Sequence, residues 1–320
     1  MSAPEPRLDY EALKAARETG YNALDVTVYR EDTDTLGIVF YRNYLTWFER
    51  GRESVISVQF LADLYAYNGN SFVVTRSDLL FKSPGRYGDD LEVRTIPFLD
   101  GPFRVHFDQS IWRKSDNTLL VAGFVEMVVV SKTFQLVKAP SFVVELMGFF
   151  DECKKNFSFL DKPGTKKRPP MRKKPAPRDA VAEASAKVAN FDYHIHMADT
   201  DFTGIAFHPN YYFWFERART QYLSPEVLLE AKNQEQAVPV VRRAKVTYKY
   251  GARPYEDLRI VTKRNRKADP SEYVVSISQS LIRVADNQVL IESEFEIVFL
   301  HDTKRNLVKI PQVVNAAIGP

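Results

Sequence analysis

The sequence predicts an α+β protein built twice on one plan, and three observations predict it. First, "DTDTLGIVFYRNYLTWFERGR" (residues 32–52) returns as "DTDFTGIAFHPNYYFWFERAR" (residues 199–219), with 13 of 21 positions identical. Second, each block runs into a stretch of helical periodicity. Third, each helix pattern is followed by four runs rich in β-branched and aromatic residues, joined by short turns. A buried helix followed by antiparallel strands is an α+β layer.

Each copy opens on a strand. Phe191, Tyr193, Ile195 and Met197 alternate with Asp192, His194 and His196, as a half-buried strand should. Leu24, Val26 and Val28 play this part in the first copy. "DTD" follows, with Gly37 or Gly204 three residues after its second aspartate, which signals a turn. From Asn43 and Asn210 the pattern becomes helical, the asparagines serving as N-caps or first-turn residues. Tyr44, Trp47, Phe48, Gly51 and Val55 recur at spacings of three and four, as do Tyr211, Trp214, Phe215, Ala218 and Tyr222. So broad an apolar face predicts a mostly buried helix, and Gly51 and Ala218 admit a closely packed sheet.

The predicted strands are 71–81, 91–98, 103–114 and 119–130 in the first copy. In the second they are 238–250, 258–263, 272–284 and 288–300. "SDN" and "ADN" join the last two of each set as hairpins. A segment opened by proline ends each copy, "APSFVVELMGFF" from Ala139 and "IPQVVNAAI" from Ile310.

The copies lie 167 residues apart: Asp34 meets Asp201, and Arg76 meets Arg243. Farther on the offset is 170, so that Gln109-Ser110 meets Gln279-Ser280. One small loop change in over 100 residues marks a duplicated domain. The predicted division is an N-terminal extension (1–20), a first domain (21–150), a basic proline-rich linker (151–188) and a second domain (189–320). Lys162–Arg178 holds eight Lys/Arg, five Pro and no acid, which reads as a solvated extended linker. The same charge could serve as an arm for an acidic partner such as carrier protein, nucleic acid or anionic lipid.

Composition excludes several classes. A net charge of +3 over 320 residues does not suggest a general nucleic-acid binder. One cysteine, Cys153, cannot form an intramolecular disulfide, which fits a reducing compartment. The N-terminal residues lack the apolar core of a secretion signal, and no run of about 18 uncharged apolar residues offers a membrane span. The expectation is a cytoplasmic protein.

The candidate chemistry sits where the aspartate turn meets the helix start. A helix N-terminus presents outward N–H groups and positive partial charge, which can hold a developing oxyanion. A nearby carboxylate can act as nucleophile or as general base toward water. These are the parts needed to hydrolyse an ester or thioester.

The two blocks closely resemble the signature of the 4-hydroxybenzoyl-CoA thioesterase family, which includes the acyl-CoA thioesterases associated with the Tol–Pal system. The resemblance covers about residues 21–145 and 189–315. It implies the hotdog fold, a long central helix wrapped by an antiparallel sheet. It also implies that two fused copies make an internal pseudo-dimer with sites at the domain seam, open to further homo-oligomerisation. The implied catalytic carboxylates are Asp34 and Asp201. The implied carbonyl-polarising N–H groups belong to Tyr41 and His208, whose side chains can vary. Gly37, Gly204, Asn43, Asn210, Arg76 and Arg243 would line the substrate, acyl-CoA or an acyl carrier protein. No metal or redox cofactor is implied. The first copy departs from the family pattern at Leu36 and Arg42, the second at Phe202 and Thr203.

Other residues carry less. The His208 side chain could also assist as a base. His194 and His196 alternate on one strand without a third ligand nearby, which favours a solvated face. Ser77 and Ser110 lack the surroundings of a serine hydrolase. Glu49 and Glu216 suit pairing with Arg52 and Arg219. Lys82, Arg86, Arg242, Lys249 and Arg253, with Arg76 and Arg243, could meet phosphates or simply face solvent. No glycine-rich phosphate loop is present. The rivals are a hotdog dehydratase, disfavoured by the aspartate block, and a non-catalytic acyl-CoA-binding or carrier-docking protein, disfavoured by two retained aspartates.

Overall fold

The structure is a computed structural model and describes residues 13–153, 187–265 and 271–319. The basic 162–178 segment and most of the N-terminal extension lie outside the described residues. The chain divides into two compact units, Met1–Phe159 and Leu160–Pro320.

Unit 1 runs α1 (Lys14–Thr19), β1 (Asn22–Thr27), α2 (Tyr41–Ile56), α3 (Val58–Asn68), β2 (Ser71–Phe81), β3 (Asp90–Asp100), β4 (Arg104–Arg113), β5 (Thr118–Val130), β6 (Leu136–Val137) and α4 (Ser141–Cys153). Its strands pair antiparallel in the order β1-β3-β4-β5-β2, with β6 against β5. Unit 2 runs β7 (Val188–His194), α5 (Asn210–Leu223), α6 (Pro225–Glu235), β8 (Ala237–Tyr248), β9 (Asp257–Arg264), β10 (Val274–Arg283), β11 (Gln288–His301), β12 (Leu307–Val308) and α7 (Gln312–Ile318). Its order, β7-β9-β10-β11-β8 with β12 against β11, repeats that of unit 1. Each unit is thus a central helix against an antiparallel sheet, as the sequence predicts.

The apolar stripe of α2 is buried as its spacing demands, with Tyr44, Trp47, Phe48 and Val55 at most 6% exposed. The four strands of each set lie within about two residues of expectation. Their final hairpins turn on Asn117 (φ +51°) and Asn287 (φ +56°), left-handed positions that asparagine tolerates. Preceding aspartates accept from the outgoing amides, Asp116 from Thr118 at 3.0 Å and Asp286 from Gln288 at 3.1 Å.

Two expectations need correction. Met197 does not continue strand β7; it lies in a 3-10 turn, Met197–Asp199, and is 61% exposed. Each unit also holds a second helix, α3 or α6, where periodicity pointed to one. A serine at positive φ breaks the helices apart, Ser57 (+82°) and Ser224 (+74°), and its hydroxyl caps the next helix at 3.4 Å. The signal was in the sequence: Ser224-Pro225 is a cap followed by a first-turn proline.

Among the described residues no helix is long and apolar enough to cross a membrane.

Candidate active site

In unit 1 the aspartate turn closes on itself. Asp34 N–H donates to the Ile38 carbonyl (2.9 Å), and Gly37 N–H returns to the Asp34 carbonyl (3.0 Å). Thr33 and Val39 form a bridge across the turn. Gly37 takes φ +69°, a conformation that a side chain would strain. Unit 2 repeats the bonds: Asp201 to Ile205 at 3.0 Å and Gly204 to Asp201 at 3.1 Å, with Gly204 at φ +79°.

The first aspartate of each block is architectural. Asp32 accepts the Tyr29 N–H and Asp199 the His196 N–H, both at 2.9 Å, capping short 3-10 turns. Tyr193 also donates its hydroxyl to Asp199, at 3.1 Å.

The asparagines tie turn to helix. Asn43 lies in the first turn of α2, and its side-chain amide donates to the Asp32 carbonyl at 3.0 Å; Asn210 does the same to Asp199 at 3.0 Å. The carbonyls of Asp32 and Asp199 also receive Phe40 N–H (2.8 Å) and Phe207 N–H (2.9 Å). The N-cap places fall to Phe40 and Pro209, without side-chain caps. The asparagines therefore hold the turn on the helix start, a role their spacing alone did not reveal.

Tyr41 is the first residue of α2, so its N–H belongs to the group that points outward at a helix start. Its ring lies edge-on to Phe81, at 5.9 Å. His208 stands two residues ahead of α5 because Pro209 intervenes. Both helices are entered by the same bond, Asn43 N–H to the Phe40 carbonyl (2.9 Å) and Asn210 N–H to Phe207 (2.8 Å), so the offset reflects boundary definition more than shape. The His208 ring meets Tyr248, 6.3 Å away on the residue equivalent to Phe81.

Sequence reasoning placed Tyr44 and Tyr211 in the apolar face only. Their phenol oxygens accept backbone N–H groups, from Gly85 at 2.8 Å and from Ala252 at 3.1 Å. Burial raises both phenols well above the ordinary range, against the backbone bonds that lower them; Asp89 and then Asp34 add to the rise at Tyr44, and Tyr248, Asp201 and Glu256 at Tyr211.

Arg76 and Arg243 are not brought to the aspartate turns of their own units. Each lies five residues before the aromatic residue that meets Tyr41 or His208, about 17 Å along a strand. Arg76 is exposed opposite Glu126, and Arg243 is half-buried opposite Glu296. His194 pairs with Asp257 at 2.7 Å on an exposed face, its ring 5.2 Å from that of His196. Among the described residues no three His, Cys, Asp or Glu side chains gather as a cation site would need.

Comparison with known proteins shows the family and the fold. A model of the thioesterase superfamily matches residues 36–120, and one of the thioesterase-like superfamily matches residues 195–318. Over 97 residues the chain is 34% identical to the acyl-CoA thioester hydrolase YbgC of Escherichia coli, covering 30% of this chain and 71% of the relative. The chain belongs to the thioesterase superfamily. The fold of this superfamily member is also found in solved structures of low identity. A chain described as an oleoyl thioesterase from Lactobacillus plantarum aligns at 15% identity, TM-score 0.65, over 87% of this chain and 96% of its own. The 12:0-ACP thioesterase from Umbellularia californica aligns at 12% identity, TM-score 0.63, over 88% and 94%. At such identities the likeness speaks for the hotdog fold alone.

Proposed function

We propose that this thioesterase-superfamily chain hydrolyses an acyl or aryl thioester of coenzyme A or of an acyl carrier protein, at two sites built on Asp34 and Asp201. Thioester hydrolysis comes with the superfamily; the residues and their roles are our reading. One observation carries it: both units hold a carboxylate in a glycine turn pinned by an asparagine to the start of a buried helix. The substrate carbonyl oxygen would approach the N–H of Tyr41 or His208, where the helix start favours developing negative charge. Asp34 or Asp201 would attack the carbonyl carbon or take a proton from an attacking water, and the thiolate would leave. Gly37 and Gly204 would allow the turn to lie close to the substrate, and Asn43 and Asn210 would hold it in place. Arg76 and Arg243 would act on a distant part of the substrate such as a phosphate.

Release of free thiol from acetyl- to palmitoyl-CoA and aryl-CoA thioesters tests this, with Asp34→Asn, Asp201→Asn and the double variant beside wild type. The double variant should lose on the order of a thousandfold or more in kcat. Each single variant should keep the share of the other site. Full turnover by a folded double variant would sink the assignment of the carboxylates. No turnover of any thioester by wild type would favour a carrier-linked substrate or a binding protein.

A further inference from the structure

The two copies differ two residues past each candidate carboxylate, where unit 1 has Leu36 and unit 2 has Thr203. The backbone bond there is common to both. Leu36 N–H donates to Asp34 Oδ1 at 2.8 Å, and Thr203 N–H donates to Asp201 Oδ1 at 2.8 Å. Thr203 also places its hydroxyl Oγ1 2.5 Å from that same Asp201 oxygen. A leucine side chain has no proton to donate. One carboxylate oxygen in unit 2 therefore receives both an N–H and an O–H from a single residue.

We infer that Thr203 is a positioning residue of the second site: its hydroxyl fixes the Asp201 carboxylate in one orientation and lowers its basicity, so one chain carries two unequal working carboxylates. This rests on the reading of Asp34 and Asp201 given above. Two donors from one residue restrict rotation of the carboxylate plane. A hydroxyl bonds the ionised carboxylate more strongly than the neutral acid, so protonation weakens that bond and is disfavoured. The second site should stay ionised to lower pH, and its carboxylate should be the weaker base once ionised.

Other titratable groups of unit 2 act on Tyr211 together with Asp201 or stand beside the turn in the chain. Tyr211 from α5 is raised first by burial, with Tyr248 of β8, Asp201 and Glu256 of the loop before β9 adding to it. His208 stands in the turn ahead of α5. Asp199, two residues upstream, is engaged by Tyr193 and by the His196 amide. None of these changes when only the hydroxyl is removed.

The test titrates the carboxyl carbon of Asp201 by NMR in protein labelled with ¹³C-aspartate, the signal being identified by its loss in Asp201→Asn. Thr203→Val should raise the midpoint by about 0.5–1 pH unit, while Thr203→Ser should stay close to wild type. The reciprocal Leu36→Thr should lower the Asp34 midpoint by a similar amount. An unchanged midpoint in Thr203→Val would overturn the proposal and leave the catalytic reading intact. The kinetic arm uses the Asp34→Asn chain, in which only the second site is left. There Thr203→Val should shift the acid limb of kcat/KM with the NMR midpoint, a loss of about three- to tenfold below that limb. A moved midpoint with an unmoved limb would remove Asp201 as the working carboxylate, and the proposal with it. So would a folded Asp34→Asn chain without turnover, since Asp201 would then do no work.

Discussion

In unit 1 the central helix crosses β3 at Gly51; in unit 2 the same crossing is made by Ala218. A β-carbon on Gly51 would stand 2.7 Å from Thr95 Oγ1 and 3.2 Å from Gln109 Nε2. Ala218 carries that carbon and is buried to 1% exposure. A second glycine of unit 1 is also replaced in unit 2. Gly123 lies under Phe48, where a β-carbon would be 2.6 Å from the ring. Its counterpart at the 170 offset is Ser293, whose hydroxyl donates to the Gln279 carbonyl at 3.0 Å.

Yet the polar clamp behind each helix is the same. Arg52 donates to Gln109 at 2.7 Å and Arg219 to Gln279 at 2.9 Å. Each glutamine donates to a helix carbonyl, Phe48 at 2.8 Å or Phe215 at 3.0 Å. Each also donates to a strand threonine, Thr95 or Thr262, both at 3.0 Å. The contrast teaches that buried polar registration is the more constrained part of the duplicated domain. Apolar spacing can be refilled with a different small residue, but a buried guanidinium needs its acceptors.

The largest effect should come from breaking that clamp. Gln109→Leu and Gln279→Leu each remove one acceptor from a buried arginine, Arg52 keeping its pair with Glu49, and should cost about 1–3 kcal/mol in their own unit. Urea unfolding followed by proteolysis of each unit would read this; a loss below about 1 kcal/mol in both would show that the glutamines are not what holds the helix on the sheet. Next, Gly51→Ala should cost about 1–3 kcal/mol through overpacking against Thr95. Ala218→Gly should cost only about 1 kcal/mol, from helix propensity and lost contact. Equal losses in the two units would erase the proposed difference in helix seating.

A smaller, pH-dependent contrast follows from the sheet. Glu126 is held down to about 2, first by the hydrogen bond from His106 (3.1 Å) and also by Thr75 (2.7 Å), against the opposing effect of burial. Because its folded value lies below its ordinary 4.5, this contribution is present above about 4.5 and is lost as pH falls toward about 2. Unit 2 has Ser276 in the place of His106. Glu126→Gln should therefore flatten the acid sensitivity of unit 1 between those values, as read by denaturant midpoints at pH 3 and pH 7. The smallest effect concerns the hairpins: Asn117→Ala and Asn287→Ala should each cost about 0.5–1 kcal/mol, because alanine disfavours positive φ. A change within error at both would mean that the turns relax.

Much of this was legible in the sequence. The strand limits followed from β-branched runs, and the buried helix faces from three- and four-residue spacing. The second aspartate of each block and its glycine marked a turn ahead of a helix. These are local signals, because a few neighbouring residues determine them. The function of the first aspartate was harder to read, since Asp32 caps a 3-10 turn only once the chain reverses onto Tyr29.

What the sequence by itself determined is the duplication, the α+β class and the position of a carboxylate turn before each central helix. Only the tertiary structure decided which asparagine bond locks that turn, that Arg76 and Arg243 stand far from the turns of their own units, and that Met197 leaves the strand. It also decided that Arg52, besides its expected pair with Glu49, is held by Gln109 of β4. The reason is distance along the chain: Arg52 finds Gln109 57 residues away, and Arg219 finds Gln279 60 residues away. Periodicity reports which way a side chain points, but its partner is chosen only when the sheet folds back over the helix.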